Sequence, residues 1–351
     1  MKNNDKKKIT IAITALNAID SPGPGVAVIR ALRECPDYDL RIIGLSYEAL
    51  EPGIYMENIV DKTYQIPYPT AGADVLINRL EYIHEIENLD LIIPNFDAEL
   101  NNFIKISGKL KEMGIATFMP SNEQLDSRNK LNLFNFCKKN GLMAPPDRQI
   151  YKAEKIMDAI EDLGLPLVIK GKFYEASVAT TYEQALKEYY RISAKWGLPI
   201  IAQQFIQGTE LNVAVLGDGL GNAISIIPMK KLFITDKGKA WAGITIEDKA
   251  LINLAKKFIR ATNWKGGLEL EIMQTVDNKL FLMEINPRFP AWIYLSAGAG
   301  QNQPVALMKM ALGEKVKPFK KYGVGKLFIR YAWDMIVDVH QFQKISALGE
   351  L

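Results

Sequence analysis

The first 120 residues alternate short apolar runs with amphipathic segments. The apolar runs, many of them rich in β-branched residues, have the length of strands, and the segments between them carry apolar residues at helical spacing. The runs lie at 8–14, 40–45, 89–94 and 115–119, and the helical segments at 24–32, 75–86 and 100–113. This alternation predicts a parallel sheet with helices on both faces, and the ligands of such sheets bind outside the carboxyl ends of the strands.

After residue 120 the pattern becomes mixed. Strands at 165–170 and 200–206 enclose a helix at 182–195, and a further helix is predicted at 248–261. Turn residues predict two hairpins, one at Gly217-Asp218-Gly219 and the other at Asp277-Asn278. The sequence therefore predicts an α/β part followed by an α+β part.

Composition excludes several classes of protein. A chain of 351 residues exceeds what one core usually organises, so two or three domains are expected. A net charge of +3 argues against nucleic acid and acidic membranes as partners, and no apolar run approaches the length of a membrane span. Cys35 and Cys137 are far apart in sequence, which argues against a disulfide framework or a zinc site and favours a cytoplasmic protein.

The small number of histidines in this chain argues against catalysis by histidine. His84 and His340 are the only histidines, and both are expected to be surface or packing residues. Nucleophile-elbow, zincin and P-loop patterns are absent from the sequence. An enzyme with this sequence would therefore work by positioning charge around a metal and a phosphate.

Three polar residues follow the apolar run 281–283 at alternate positions: Glu284, Asn286 and Arg288. Side chains two apart on an extended chain point the same way. Glu and Asn oxygens suit Mg²⁺, and Arg can clamp a phosphate or carboxylate. The alternative is a strand end with solvated polar residues that stops at Pro287.

Two further places at predicted strand ends are candidates for binding a substrate. The loop Asn17–Gly25 follows the first strand, and Asp97 and Glu99 follow the strand that ends at Pro94. The loop is not a dinucleotide fingerprint, because Val28 stands at the third glycine position. A tight turn that only begins a helix is an equal alternative.

Four features follow one another in a fixed order. Lys130 follows an acidic segment, Lys170 ends an apolar strand, and the segment Gln203–Glu210 comes next. Two strands then carry Glu269 or Glu271 and the run Glu284–Arg288. In this order they resemble the ATP-grasp superfamily, most closely its carbamoyl-phosphate-synthase-like and carboxylate–amine ligase branches, over about residues 8–315.

The resemblance implies a domain organisation and a set of ligands. It implies a pre-ATP-grasp α/β domain at 1–120, a two-lobed ATP-grasp domain at 121–315 with a mobile lobe at about 145–210, and a tail at 316–351 that completes the core or an interface. It also implies binding of ATP and Mg²⁺, with Mn²⁺ as an alternative metal. The residues implied are Lys130 and Lys170 for phosphates, Gln203, Gln204, Phe205 and Ile206 for adenine, Glu210 for ribose, Glu271, Glu284 and Asn286 for the metal, and Arg288 for the acyl-phosphate or transferred phosphoryl group.

Two segments near this set leave alternatives open. Residues 171–179 stand where the family has a glycine-rich loop but contain one glycine, so this loop departs from the family pattern. Residues 229–241 are expected to form a basic loop, in which Lys239 would face an anionic intermediate or the charges would simply be solvated. Glu269 remains an alternative to Glu271 as the metal ligand.

The resemblance implies an ATP-dependent, ADP-forming carbon–nitrogen ligase that activates a carboxylate as an acyl-phosphate and joins it to an amine. One alternative keeps the fold but phosphorylates bicarbonate, as carbamoyl-phosphate synthases and biotin carboxylases do. The other is a regulatory protein that binds ATP without turnover. Small-molecule substrates are the expected partners, and a homodimer is left open because family members are often dimers.

Overall fold

The computed structural model describes residues 6–18, 22–172, 175–332 and 334–351. Its N-terminal part contains a five-stranded parallel sheet of order β3-β2-β1-β4-β5, which confirms the predicted α/β arrangement. The elements are β1 Lys7–Ile13, α1 Pro24–Arg33, β2 Tyr38–Ser46, β3 Lys62–Gln65, α2 Ala73–Glu87, β4 Leu91–Ile93, α3 Leu100–Glu112 and β5 Ala116–Thr117.

Both faces of this sheet are covered because successive side chains of a strand point to opposite faces. On one face, Ile11 of β1 packs in a cluster with Leu32 of α1. On the other face, Ala12 packs with Leu80 of α2 and Phe103 of α3. A strand buried on both sides needs a nearly continuous apolar sequence, which is the pattern that β1 shows.

The next segment forms a four-stranded sheet of order β6-β9-β7-β8 in which the pairings are antiparallel. The elements are α4 Asn122–Asp126, α5 Leu133–Lys139, β6 Asp147–Ile150, α6 Lys155–Leu163, β7 Leu167–Lys170, β8 Ala176–Ala179, α7 Tyr182–Trp196 and β9 Ile200–Gln204. One face of the sheet, with Ile169 and Ala202, packs on Ile156 of α6 and Ile192 of α7.

The remaining strands form a six-stranded sheet of order β14-β13-β10-β11-β12-β15. The elements are β10 Thr209–Asp218, β11 Ala223–Ile234, β12 Ala240–Thr245, α8 Lys249–Thr262, β13 Lys265–Gln274, β14 Leu280–Asn286, α9 Tyr294–Gly298, α10 Gln303–Ala311, β15 Leu327–Ile329 and α11 Val339–Leu348. Both hairpins predicted from turn residues are present, because β10 neighbours β11 and β13 neighbours β14. Within the described ranges, no helix combines the length and apolar character needed to cross a membrane.

One prediction for this part of the chain is wrong. Residues 229–241 are mostly strand, since β11 extends to Ile234 and β12 begins at Ala240, which leaves a turn at 235–239. The apolar residues Leu232 to Ile234 continue the strand beyond the lysines. In the tail, the three-residue strand β15 is followed by α11. Residue 333, between these two elements, lies outside the described residues.

The chain divides into two compact units. Unit 1 comprises Met1–Asn122, Asn212–Glu269 and Asn286–Leu351, and unit 2 comprises Glu123–Leu211 and Leu270–Ile285. The domain boundaries predicted from the sequence, at 120 and 315, stay a prediction.

The turn between β1 and α1 requires glycine. The amide of Gly25 donates a hydrogen bond to the carbonyl oxygen of Ala15 at 3.0 Å. A Cβ on Gly25 would lie 2.1 Å from the carbonyl oxygen of Thr14 and 2.7 Å from that of Ala15. Close packing of the backbone therefore explains this glycine without a ligand. Residues 19–21 of the predicted substrate loop lie outside the described residues.

Alanine at Gly25 and at Gly108 should have opposite effects on stability. Gly25→Ala forces a methyl group against backbone, and we expect it to lower the free energy of unfolding by about 2 kcal/mol or more. Gly108 lies inside α3 with open space around its Cβ position. Gly108→Ala should raise the free energy of unfolding by roughly 0.5–1 kcal/mol, because alanine loses less entropy than glycine in a helix. Urea unfolding of both variants measures the difference, and equal effects would contradict the packing account.

Candidate functional site

The four-stranded sheet of unit 2 has a second, polar face. In its antiparallel register Lys170 lies opposite Ile201, and Gln203 lies between Asp147 and Val168. Directly opposed residues of antiparallel strands share a face, and residues two apart along a strand do so too. Lys170, Gln203 and Asp147 therefore project from the face that does not pack on α6 and α7.

Lys170 is surrounded by charged groups. Its pKa is lowered, first because burial desolvates the ammonium and also because Lys130 repels a second positive charge. The carboxylates of Glu284, Glu271 and Asp147 act in the opposite direction and favour the charged form. The structure thus brings together two predicted phosphate ligands and two predicted metal ligands. We call Lys130, Lys170, Glu271 and Glu284 the Lys170 cluster.

Within this cluster, Lys130 and Glu284 form an ion pair. The distance from Lys130 Nζ to Glu284 Oε1 is 3.1 Å, and both side chains are partly exposed. Lys130 lies in a turn that precedes α5. On β14, the amide of Leu282 donates to the carbonyl oxygen of Met143 at 2.8 Å. This hydrogen bond ties β14 to the segment that follows α5.

Asp147 belongs to this polar face but was missed in the sequence. Burial raises its pKa to about 6, against the opposing effects of Lys170 and Arg148. Asp147 Oδ2 is buried without a hydrogen-bond partner among the described residues, as is Oε1 of Gln203 on the paired strand. The strand β6 has the sequence Asp-Arg-Gln-Ile, which gives no apolar signal, so only pairing with β9 could have revealed it.

The residues predicted to hold adenine and ribose lie on β9, on β10 and between these strands. Because β9 is flanked by β6 and β7, its backbone groups are used within the sheet, and the amide of Gln204 donates to Pro146. Phe205 and Ile206 follow the end of β9, where backbone groups lie outside the ladder. Glu210 is the second residue of β10.

The loop after Lys170 is shorter than predicted. Residues 176–179 form β8, which pairs with β7, so the connection spans only residues 171–175. Of these, 173 and 174 lie outside the described residues. Glu175 forms ion pairs with Arg191 and Lys195 of α7. These ion pairs tie the end of the loop to the helix.

Glu269 of unit 1 has a different environment from Glu271. Its buried carboxylate accepts hydrogen bonds from Asn212 Nδ2 at 2.8 Å, Trp292 Nε1 at 2.7 Å and Asn286 Nδ2 at 3.1 Å. These bonds use both carboxylate oxygens to hold other side chains in place. We infer that Glu269 is structural, which leaves Glu271 as the stronger candidate for the metal.

Arg288 lies beside acidic groups of unit 1. Its Nε is 3.3 Å from Asp97 Oδ1, and its Nη1 is 3.8 Å from Glu269 Oε2. Asp97 was one of the residues considered for substrate binding, and the structure connects it directly to the predicted catalytic arginine. Lys239 lies in the turn between β11 and β12, with an exposed side chain and its amide bonded to Thr235 Oγ1.

Glu99 lies where the carboxyl ends of the parallel strands meet. Its carboxylate accepts hydrogen bonds from the hydroxyls of Thr14 and Tyr47 and from the amides of Asn95 and Phe96. Burial raises the pKa of Glu99 to about 7. Three loops, which follow β1, β2 and β4, are therefore joined through one side chain at the start of α3.

Substitution by leucine should lower the free energy of unfolding more at Glu269 than at Glu271. Glu269→Leu leaves three buried donors without an acceptor, and we expect a loss of about 3 kcal/mol in the free energy of unfolding. Glu271 is only half-buried, so Glu271→Leu should cost less than about 1 kcal/mol. Chemical denaturation of both variants is the measurement. A larger loss for Glu271→Leu would assign the structural role to the other residue.

The raised pKa of Glu99 predicts a pH dependence of stability. A carboxyl group with a higher pKa in the folded than in the unfolded state favours folding when it is protonated. This contribution is complete below the ordinary value of 4.5 and is lost as the pH rises to about 7. Glu99→Gln, which is neutral at every pH, should flatten the decline. Unfolding free energies of both proteins between pH 4.5 and 8 test this, and parallel pH profiles would contradict it.

Comparison with known proteins finds similarity to ATP-grasp proteins. Residues 198–327 match the family model described as ATP-grasp in the biosynthetic pathway with Ter operon. The carbamoyl phosphate synthase large chain of Clostridium perfringens is 24% identical over 293 residues, which are 76% of this chain and 25% of that protein. The D-alanine–D-alanine ligase of Xanthomonas axonopodis is 31% identical over 146 residues, 38% of this chain and 46% of that one.

The fold agrees with these matches. Biotin carboxylase from Campylobacter jejuni, solved as a β-γ-ATP complex, superposes with a TM-score of 0.71 at 17% identity, over 90% of this chain and 73% of that one. This chain thus spans a quarter of the synthase and less than half of the ligase. These matches confirm the resemblance that the order of the motifs indicated: the chain contains a match to an ATP-grasp family model and is similar to carbamoyl phosphate synthase large chains and D-alanine–D-alanine ligases.

Proposed function

We propose that the Lys170 cluster binds the triphosphate of Mg²⁺-ATP. The observation that carries this proposal is the desolvated ammonium of Lys170, which lies among two carboxylates of the proposed metal-binding motif and a second lysine. Two compact cations can neutralise phosphate oxygens, and a desolvated site strengthens that attraction. A salt bridge that only stabilises the sheet would not need a second lysine in the same place.

The donor set fits Mg²⁺ bound together with a phosphate. Among the described residues, no group of three or more His, Cys, Asp or Glu side chains is arranged to hold a metal unaided. Mg²⁺ commonly takes only one or two carboxylates and completes its shell with phosphate and water. Glu271 and Glu284 would supply those carboxylates, and Asn286 would add its amide oxygen. The metal would neutralise charge on the β- and γ-phosphates during transfer.

Binding would require the ion pair between Lys130 and Glu284 to open. Lys130 would turn to a phosphate oxygen, and Glu284 would be released toward the metal. Both charges exchange one partner for another, so the exchange has a small electrostatic cost. Gln203, Gln204, Phe205 and Ile206 would hold adenine, with backbone bonds from the last two, and Glu210 would accept from the ribose hydroxyls.

The proposed reaction is ADP-forming ligation. A carboxylate oxygen of the substrate attacks the γ-phosphorus and ADP leaves, which gives an acyl-phosphate. An amine nitrogen then attacks the acyl carbon, phosphate leaves and the nitrogen loses a proton. Arg288 would hold the transferring group or the acyl-phosphate, and Lys239 would contribute a second positive charge. The similarity to D-alanine–D-alanine ligases supports this reaction class.

Phosphorylation of bicarbonate is the second candidate, because the fold resembles a biotin carboxylase. We further propose that the partners are small molecules, that the chain forms a homodimer, and that it works in the cytoplasm. The last point agrees with two buried cysteines that form no disulfide. Screening amino acids, dicarboxylates and bicarbonate for stimulated ADP release distinguishes the reactions.

Three variants should separate nucleotide binding from chemistry. Wild-type protein at a hundred times the dissociation constant of Mg²⁺-ATP should gain about 2.7 kcal/mol of stability. Lys170→Met should lose at least about tenfold in nucleotide affinity, since one charge contact is worth over 1 kcal/mol. Glu284→Gln and Arg288→Ala should retain measurable nucleotide binding and lose most substrate-stimulated ADP formation, because removing these residues should cost rate more than ground-state affinity.

Lys152→Met is the matched control, because Lys152 is exposed and lies outside the Lys170 cluster. It should behave as wild type in thermal-shift and ADP assays. Wild-type protein that gains no stability from Mg²⁺-ATP would overturn the site. Normal turnover in Glu284→Gln and Arg288→Ala would overturn only the catalytic roles.

A further inference from the structure

A basic segment follows α10 and ends where β15 begins. Residues 315–326 contain five lysines and no acidic residue, and they lie outside every helix and strand. The side chains of all five lysines are exposed, and none of them forms an ion pair within the part of the chain that the structure describes. We call residues 315–326 the basic segment; its lysines are Lys315, Lys317, Lys320, Lys321 and Lys326.

The positive charge of the chain is concentrated in this segment. The net charge of the whole sequence is +3, which argued against anionic partners, but without the five lysines the acidic residues outnumber the basic ones. Glu314, which adjoins the segment, accepts a hydrogen bond from the hydroxyl of Tyr38. Glu247 and Asp248 lie near Tyr322, and Asp248 caps α8. The local charge therefore differs from the average over the chain.

The backbone of the basic segment is held against unit 1. The hydroxyl of Tyr322 donates to the carbonyl oxygen of Ile246 at 2.7 Å. Three amides of the segment also donate to carbonyl oxygens at 2.8 or 2.9 Å, in the pairs Phe319 with Ile224, Gly323 with Ala299 and Gly325 with Thr245. The lysines thus extend into solvent from an ordered backbone, so that a partner need not pay for ordering the segment.

Exposed apolar side chains accompany the lysines. Phe319 is 37% exposed and Val324 is 53% exposed, and both belong to the basic segment. On β15, which follows directly, Leu327 is 49% exposed and Ile329 is 66% exposed. These two residues are two apart on a strand and therefore share a face. The surface combines unpaired positive charge with apolar side chains that have no cover.

This combination distinguishes between anionic partners. A free phosphate compound would attract the lysines but would leave the apolar side chains in water. A nucleic acid would need aromatic side chains on which bases can stack, and three of the four exposed apolar residues are aliphatic. An anionic lipid surface offers phosphate groups above an apolar layer, so it matches both parts of the surface.

We propose that the basic segment and β15 dock on an anionic phospholipid membrane. The lysines contact lipid phosphates, and Val324 and Leu327 enter the boundary between headgroups and acyl chains. One lysine near such a surface strengthens binding roughly fivefold. A basic patch together with inserted apolar groups supplies the two signals that stable attachment needs. This function lies beyond the proposed ligase reaction and does not depend on it.

Cosedimentation with lipid vesicles tests the docking. Wild-type protein should bind vesicles of phosphatidylcholine mixed with phosphatidylglycerol, and high salt should release it because salt screens exposed charges. Replacing two lysines in Lys320→Gln/Lys321→Gln should lower the partition coefficient at least about tenfold. Val324→Ser should lower it severalfold, since an aliphatic group no longer leaves water. Vesicles of phosphatidylcholine alone should bind little protein.

Lys109→Gln/Lys111→Gln is the matched control, because it removes two exposed lysines of α3 and the same net charge. It should bind anionic vesicles as wild type does. Wild-type protein that ignores anionic vesicles, or a control that loses as much binding as Lys320→Gln/Lys321→Gln, would overturn the proposal. Binding to single-stranded DNA without binding to anionic vesicles would overturn it in favour of a nucleic-acid partner.

Discussion

The ammonium of Lys170 depends on carboxylates from elsewhere in the chain. A cation that loses water is costly unless opposite charges lie nearby, and Glu271, Glu284 and Asp147 provide them. This compensation requires β7 to have one face packed on α6 and α7 and another facing polar groups. In β7 the burial alternates along the strand, with Leu167 and Ile169 buried and Val168 and Lys170 only partly buried, and this sets that division. The sheet thus positions its charges as a consequence of its packing.

The two glutamates of β13 differ in their environments. The carboxylate of Glu269 accepts hydrogen bonds from Asn212, Trp292 and Asn286, and these three donors fix its geometry. Glu271 contributes to the electrostatic surroundings of Lys170 instead. A carboxylate that orders three neighbouring donors and a carboxylate that compensates the charge of an ammonium have different physical tasks. Their identical residue type hides that difference in the sequence.

The sequence predicted those helices and strands whose apolar residues recur with a clear period. The parallel sheet followed from apolar runs such as β1, and the order of Lys130, Lys170 and Glu284 indicated the family before any contact was known. Other features depend on contacts between distant residues. The polar strand β6 becomes visible only through pairing with β9, and the role of Glu99 depends on loops that follow three strands. The prediction of a basic loop at 229–241 was wrong, because apolar residues extend β11 beyond the lysines of that segment.

The central claim is that the Lys170 cluster becomes a metal site only when a phosphate enters it. Titration of Mn²⁺ followed by electron paramagnetic resonance, with and without a non-hydrolysable ATP analogue, tests this most directly. The account predicts weak Mn²⁺ binding by the protein alone and binding at least about tenfold tighter with the analogue than the analogue alone provides. That gain should disappear in Glu284→Gln. Mn²⁺ binding that is no tighter with protein and analogue together than with the analogue alone, or a gain that survives Glu284→Gln, would contradict the account.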